Sequence, residues 1–143
     1  MQNFSDQRSK VALNSPNLPK ARFLRGQLGA VAFEVKIAPM SINVAFQGRR
    51  FKTKAAKDYD RAMNLLLPKS VCHGDYYSVR YDFYLKNWKM IDYDNLIKQT
   101  QDCLVRKGII SDDRKIVQAH INKHPASENK IGIEIWPMTI EAL

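Results

Sequence analysis

Apolar and polar residues alternate along several segments of the chain, and this pattern predicts half-buried β-strands. The alternation is clearest over residues 77–85, where apolar and aromatic residues occupy every second position. Residues 33–37 show the same pattern and end before Pro39, because proline is excluded from the interior of a sheet. Residues 116–121 and 131–136 predict two closing strands.

Two other segments have apolar residues at spacings of three and four, which predicts amphipathic helices. The first begins after Thr53, a residue that can cap a helix, and stops before Pro68. The second covers residues 95–107 and ends at Gly108, a typical C-terminal stop. With residues 40–50 as a polar connection, the order is strand–helix–strand–helix–strand–strand. We therefore expect an α+β fold with a small mixed sheet packed on two helices.

Length and composition change this picture little. A chain of 143 residues with 26% charged residues is ordinary for one globular domain. The longest apolar run, residues 30–33, is far shorter than the roughly 18 residues of a membrane span. Cys72 and Cys103 have no second cysteine nearby, which argues against a zinc knuckle or a redox pair. We expect a reduced, cytoplasmic protein with no membrane partner and no signal peptide.

The net charge is the first functional clue. The chain carries a formal charge of +9 and has a pI near 9.7. A surplus of this size in a small domain is typical of proteins that bind a polyanion, most often nucleic acid. The alternative is a basic protein whose charge only keeps it in solution.

The cations are concentrated in two segments of the chain. Residues 1–30 hold five lysines and arginines against Asp6 alone, and they have no sustained strand or helix period. We interpret this segment as a basic N-terminal arm and residues 31–143 as the folded domain. The second cluster has no acid within it and comprises Arg49, Arg50, Lys52, Lys54 and Lys57. It favours a phosphate-binding surface, although a solvated helix face has the same composition.

Candidate chemistry lies in the segment Ile-Asp-Tyr-Asp-Asn-Leu-Ile-Lys at residues 91–98. If the chain is still extended there, Asp92 and Asp94 point to the same side, because a strand repeats every two residues. Two close carboxylates repel each other unless a cation lies between them, and oxygen ligands favour Mg²⁺ or Mn²⁺ over Zn²⁺. Asp94 or Asn95 can also cap the following helix, which places Lys98 one turn along the same face. An ammonium there could contact a phosphate oxygen.

A third carboxylate follows the second helix, in the pair Asp112–Asp113. A helix over residues 95–107 is roughly 20 Å long at 1.5 Å per residue, so Asp113 cannot meet Asp92 along it. The chain has to return as a strand beside Asp92, and the strand predicted at residues 116–121 allows this. Each element has an ordinary alternative, because isolated aspartates often cap helices and an Asp–Asp pair after a helix often forms a turn.

Taken together, the spacing Asp-x-Asp-Asn-x-x-Lys, then a helix, Gly and Asp-Asp resembles the RusA family. These are small Holliday-junction resolvases of bacteria and of their phages. The resemblance runs from about residue 33 to residue 136. Its strongest block starts at Asp92 and continues through Lys98, Asp102, Leu104, Lys107, Gly108, Ile110, Asp112 and Asp113. Weaker agreement lies in a Pro- and Asn-containing loop at residues 39–43 and at Lys123.

The resemblance implies a site and an assembly. Asp92, Asp94 and Asp113 are expected to bind the catalytic Mg²⁺ or Mn²⁺, and Lys98 is expected to be needed as well. Asn95 and Asp112 are expected to support this site. The family implies a homodimer, and a twofold dimer with two sites matches a junction that has two symmetry-related strands. The candidate DNA contacts are Lys86, Lys89, Lys123, Arg49, Arg50, Lys52 and Asn43.

The expected function is therefore a divalent-metal-dependent crossover junction endodeoxyribonuclease acting in DNA recombination and repair. It would resolve four-way junctions by symmetric paired nicks, in a bacterial or phage-infected cell. Two alternatives stay open. A nuclease of the same fold could act on other branched DNA, without symmetric cutting of both strands. A non-catalytic basic protein would bind junctions and show no metal-dependent nicking.

Overall fold

Five strands of the computed structural model, which describes residues 20–47 and 51–142, form one mixed sheet. Three of them build its centre and one edge: β5 (Tyr76–Leu85), β6 (Ile116–Pro125) and β7 (Lys130–Ala142). Strand β5 pairs antiparallel with β7 and parallel with β6. A parallel neighbour requires a crossover connection, and a helix supplies it here.

The opposite edge of the sheet consists of two short strands placed end to end along β7. They are β1 (Ala21–Arg25), which pairs with residues 138–142, and β2 (Val31–Val35), which pairs with residues 131–135. Pro137 lies between the two paired stretches, and Gly26 donates its backbone N–H to the carbonyl of Pro137 at 2.7 Å. The interruption therefore coincides with the residue of β7 that has no N–H to donate.

Three helices and a small hairpin complete the described part of the chain. The helices are α1 (Ile42–Ala45), α2 (Lys54–Leu66) and α3 (Ile97–Lys107), and the hairpin joins β3 (Phe46–Gln47) to β4 (Phe51–Lys52). The Thr53 side chain accepts the Ala56 N–H and caps α2, a contact worth about 1 kcal/mol. Gly108 adopts φ 81° at the end of α3, in the left-handed region that glycine favours. None of these helices is long and apolar enough to cross a membrane.

The core lies between one face of the sheet and helices α2 and α3. Alternate residues of β5, from Tyr77 to Leu85, are fully buried, and Ile131, Ile133 and Ile135 of β7 pack beside them. The helices contribute Tyr59 and Met63 of α2 and Leu104 of α3. The other face of β5 carries polar and charged residues such as Arg80 and Asp82. This period of two explains why β5 is the clearest strand in the sequence.

The predicted α+β class with a mixed sheet is confirmed, and so are the four predicted strands and the two predicted helices. The count of two helices is wrong, because α1 forms within residues 40–50, and β3 follows it there. The interpretation of residues 1–30 as an arm without strand structure is wrong for residues 21–25, since β1 pairs with β7. Residues 1–19, and Arg49 and Arg50, lie outside the described residues.

Candidate active site

The connection from β5 to α3 carries the first two candidate aspartates. It contains two short 3₁₀ turns, Trp88–Met90 and Tyr93–Leu96, on either side of Asp92. The ammonium of Lys123 on β6 donates to the carbonyl oxygens of Trp88 and Ile91, each at 2.6 Å. Lys123 therefore ties this connection to the sheet immediately before Asp92.

Asp92 and Asp94 differ in backbone conformation. Asp92 is extended, with φ −73° and ψ 134°, whereas Asp94 lies in the 3₁₀ turn Tyr93–Leu96. The condition under which both side chains would point to the same side of a strand is therefore not met, because the turn begins between them. Both side chains are exposed, and within residues 20–47 and 51–142 neither forms a side-chain hydrogen bond. Their carboxylate oxygens are available to a ligand from solvent.

The predicted cap of α3 is also not formed. The 3₁₀ turn leads directly into α3, so Leu96 occupies the N-cap position and no side chain caps the helix. Asp94 and Asn95 lie inside the turn, where the N–H of Asn95 is bonded to the carbonyl of Asp92 at 3.2 Å. Half-buried Asn95 thus belongs to the turn that presents the two aspartates.

Lys98, in the first turn of α3, is the centre of a charged cluster. Its Nζ lies 2.9 Å from Oδ1 of Asp102 and 3.5 Å from Oδ2 of Asp113. The hydrogen bond to Asp102 is the largest cause of a raised pKa for Lys98, and the charge of Asp113 adds to it. Lys98 is therefore a fully charged ammonium that is half exposed and faces two carboxylates.

Asp113 reaches this cluster through the return path from α3 to β6. After Gly108, the buried Ile109 and Ile110 anchor the chain in the core. The Tyr77 hydroxyl then contacts the Ser111 hydroxyl at 3.1 Å, which fixes the start of the next turn to β5. A 3₁₀ turn over Asp113–Lys115 leads into β6, parallel to β5. The expected return of the chain as a strand is confirmed.

Asp112 has a different environment from its neighbour. Its carboxylate accepts the backbone N–H of Arg114 at 2.9 Å and is also bonded by the Arg114 guanidinium at 2.7 Å. These hydrogen bonds lower the pKa of Asp112 to about 2. Asp112 therefore caps the turn that carries Asp113.

Two further residues join the cluster although the sequence does not predict a site role for either. Asp102 is the nearest carboxylate to Lys98, and its spacing of four residues on a helix is the signal that could identify it. Tyr81 of β5 is buried beneath, and its hydroxyl is 3.2 Å from Oε1 of Gln101. Burial raises the pKa of Tyr81, and the charges of Asp113 and Asp102 raise it further. The phenol therefore stays neutral.

The candidate metal ligands are not gathered into one cluster. Across residues 20–47 and 51–142, no group of three His, Cys, Asp or Glu side chains is close enough to hold a metal ion. Asp113 faces Lys98, while Asp92 and Asp94 lie exposed on the turn before α3. The donor chemistry, carboxylate oxygens that are accessible from solvent, nevertheless suits a hard cation such as Mg²⁺ or Mn²⁺.

The candidate DNA contacts fall around this turn. Asn43 is exposed on α1, and α1 contacts both the turn Tyr93–Leu96 and α3. Lys86 and Lys89 are exposed between β5 and Asp92, and the Lys89 ammonium lies 5.5 Å from the centre of the Trp88 ring. Lys123 retains one of its three N–H donors beyond its two carbonyl partners.

Lys52 lies further away, at the entry to α2. Its ammonium is 2.9 Å from Oδ2 of Asp60, and its side chain is only 28% exposed. It therefore belongs to the packing between α2 and α3 rather than to the turn that carries Asp92.

No curated protein sequence matches the chain. A model of one protein family does match, described as endodeoxyribonuclease RusA, and it covers residues 40–136 of the 143. This range begins in the loop before α1 and ends in β7, so it includes the turn with Asp92 and Asp94, all of α3, and Asp113. The chain belongs to the RusA family of endodeoxyribonucleases, whose members resolve Holliday junctions.

Proposed function

We propose that this protein is a divalent-metal-dependent crossover junction endodeoxyribonuclease that cuts both opposed strands of a four-way DNA junction symmetrically. The observation that carries the proposal is the approach of Lys98 to Asp113 at 3.5 Å, next to the exposed Asp92–Asp94 turn. Lys98 lies at the start of α3 and Asp113 follows its end, so the fold places a cation and an acid from both ends of this crossover side by side. Carboxylates that can hold a divalent metal ion, together with an ammonium that can contact the phosphate, are suited to phosphodiester cleavage.

The carboxylates would act as ligands. Asp92, Asp94 and Asp113 would hold Mg²⁺ or Mn²⁺, which when bound supplies charge neutralisation at the phosphate and lowers the pKa of a water molecule. Asp92 and Asp94 would present their oxygens from the start of one short turn that also contains Asn95, and Asp112 caps the turn that carries Asp113. Tyr81 is buried and neutral, and its pKa is raised by burial and further by the charges of Asp113 and Asp102.

Lys98 would act on the phosphate itself. Its ammonium has three donors, and two of them are directed to Asp102 and Asp113. The third can donate to a non-bridging phosphate oxygen, where it stabilises the negative charge that grows as the P–O bond is attacked. An interaction that strengthens in the transition state raises the rate more than it raises affinity.

Binding of the junction would use residues around the turn. Lys86 and Lys89 are exposed before Asp92, half-buried Lys123 contacts the same connection, and Asn43 is exposed on α1, which contacts the turn Tyr93–Leu96. Each lysine that contacts a phosphate releases counterions and makes binding depend on salt. A homodimer with twofold symmetry would present two such sites to the two strands that are cut. The reaction belongs to recombination and repair in the cytoplasm of a bacterial or phage-infected cell.

The test is cleavage of a synthetic four-way junction with each strand labelled in turn. We expect paired nicks at symmetry-related positions with Mg²⁺ or Mn²⁺ and none with EDTA. A linear duplex and a flap of the same sequence serve as controls. Binding without metal-dependent nicking would identify a non-catalytic binding protein, and preferred cutting of the flap would identify a nuclease for other branched DNA. Either result refutes the proposal.

A further inference from the structure

Helices α2 and α3 form a basic groove away from the aspartate turn. This α2–α3 groove has a volume of about 400 Å³ and is lined by Lys57, Asp60, Arg61, Asn64 and Arg106. It lies towards the C-terminal end of α3, eight residues beyond Lys98. At 1.5 Å per residue, Arg106 is about 12 Å along the helix from Lys98.

The acids of the groove are already engaged by cations. The Asp60 carboxylate is 2.9 Å from Lys52 and 3.3 Å from Arg106, and its side chain is 14% exposed. The Asp58 carboxylate lies 3.7 Å from the Arg61 guanidinium, which is a long distance for an ion pair. Of the residues that line the groove, Lys57, Arg61 and Arg106 are cations and Asp60 is acidic, which leaves a surplus of positive charge.

The groove's cations are presented to solvent and can reach a ligand. The Arg61 side chain is 80% exposed, and Lys57 is exposed one turn before it. Lys107 donates to the carbonyl of Asn64 at 2.6 Å, which ties the two helices together without neutralising its charge. Arg106 has five donors and uses only part of them on Asp60.

We infer that the α2–α3 groove binds the sugar–phosphate backbone of DNA, as a second contact surface separate from the Asp92–Lys98 site. A concave surface with surplus cations complements phosphates, and each residue that lines it is charged or polar. Because α3 carries both Lys98 and Arg106, one arm of a junction held at Lys98 can continue along the helix into the groove. The inference rests on the proposed function for its choice of DNA over an acidic protein.

The test is equilibrium binding of the four-way junction without divalent metal, measured over a series of salt concentrations. The variant is Lys57→Ala with Arg61→Ala, at two exposed helix positions where alanine is well tolerated. We expect the plot of log K against log salt to become less steep, because about two phosphate contacts are lost and each contributes roughly 0.9 to the slope. We also expect Asp58→Asn to tighten binding, because it removes a negative charge from the same surface.

The matched control removes one lysine and one arginine elsewhere. Arg22→Ala with Lys130→Ala changes β1 and β7, and both side chains are paired with acids outside the groove. This control should leave the slope within experimental error. Three results would each overturn the inference. They are an unchanged salt slope in the groove variant, an equal loss of slope in the control, and weaker DNA binding by Asp58→Asn.

These outcomes are separate from failure of the nuclease proposal. A wild-type protein that binds junctions through the groove but never nicks them refutes only the proposed function. A groove variant that keeps its salt slope while the wild type cuts junctions refutes only the groove. Failure of the wild type to bind DNA at all overturns the groove as well, and would leave an acidic protein as the alternative ligand.

Discussion

Lys98 and Asp113 are 15 residues apart in the sequence, and their charged groups lie 3.5 Å apart in the folded chain. Nearly all of α3 lies between them along the backbone, so the contact depends on the crossover that returns the chain to β6. Asp102 contacts the same ammonium from within α3 at 2.9 Å. Two carboxylates thus hold the Lys98 ammonium in one position. This environment distinguishes Lys98 from Lys86 and Lys89, so its role can be tested separately from theirs.

Lys98→Ala should reduce the cleavage rate at saturating junction by about 100-fold or more, while affinity changes by no more than about threefold. Lys86→Ala and Lys89→Ala should show the opposite pattern, with near-normal rates and a salt slope reduced by about one phosphate contact. Single-turnover cleavage and metal-free binding measure the two quantities separately. Equal losses of rate and affinity at all three lysines would show that Lys98 is an ordinary phosphate contact.

Asp92→Asn, Asp94→Asn and Asp113→Asn should each reduce Mg²⁺-dependent cleavage by about 1,000-fold or more. Junction binding should be unchanged or tighter, because each change removes a negative charge that repels phosphates. Asp58→Asn removes an exposed carboxylate on α2 and should keep the wild-type rate at saturating DNA. Near-normal nicking by one of the three variants would remove that residue from the proposed ligand set.

Asp102→Asn should slow cleavage by about 10- to 100-fold, because Lys98 would lose its nearest charged partner and its defined position. The effect should disappear in the Lys98→Ala background, since Asp102 is expected to act only through that lysine. The two single variants and the double variant form the cycle to be measured. Additive losses would mean that Asp102 acts independently of Lys98.

Most of the fold can be predicted from the spacing of apolar residues, where only one face of a strand or helix packs on the hydrophobic core. In β5, residues from Tyr77 to Leu85 alternate because one face packs on α2 and α3. Strand β1 has no such alternation, since all five of its residues are exposed and its place in the sheet comes from pairing with β7. Helix α1 has only four residues, too few to establish a helical period.

The sequence identifies the candidate site residues, but it predicts less of their geometry. The spacing around Asp92, Lys98 and Asp113 is a sequence property, and the return strand follows from the length of the helix between them. The conformation of Asp94 could not be predicted, because a short 3₁₀ turn of four residues leaves no periodic pattern in the sequence. The role of Asp102 is equally hard to predict, because a pair at four residues on a helix is usually a surface ion pair.

Asp60 provides a prediction about stability and pH. Burial alone would raise its pKa, but hydrogen bonds and charges from Lys52 and Arg106 outweigh burial and lower the pKa below the ordinary 3.8. A carboxyl whose pKa is lowered by folding stabilises the protein fully above its unfolded pKa, and this stabilisation is lost as pH falls through the folded pKa. The difference between wild type and Asp60→Asn should therefore be largest near neutral pH.

We expect Asp60→Asn to reduce the free energy of unfolding by about 1–2 kcal/mol at pH 7, which corresponds to a Tm lower by about 3 to 6 °C. As pH falls from the ordinary carboxyl pKa through the lowered pKa of folded Asp60, the two melting curves should converge, because the wild-type carboxyl becomes protonated and loses its ion pairs. Asp58→Asn, at a carboxylate that is 55% exposed, should leave Tm nearly unchanged over the same pH range. A Tm difference for Asp60→Asn that stays constant from pH 7 to pH 3 would show that its contribution comes from packing between α2 and α3 and not from charge.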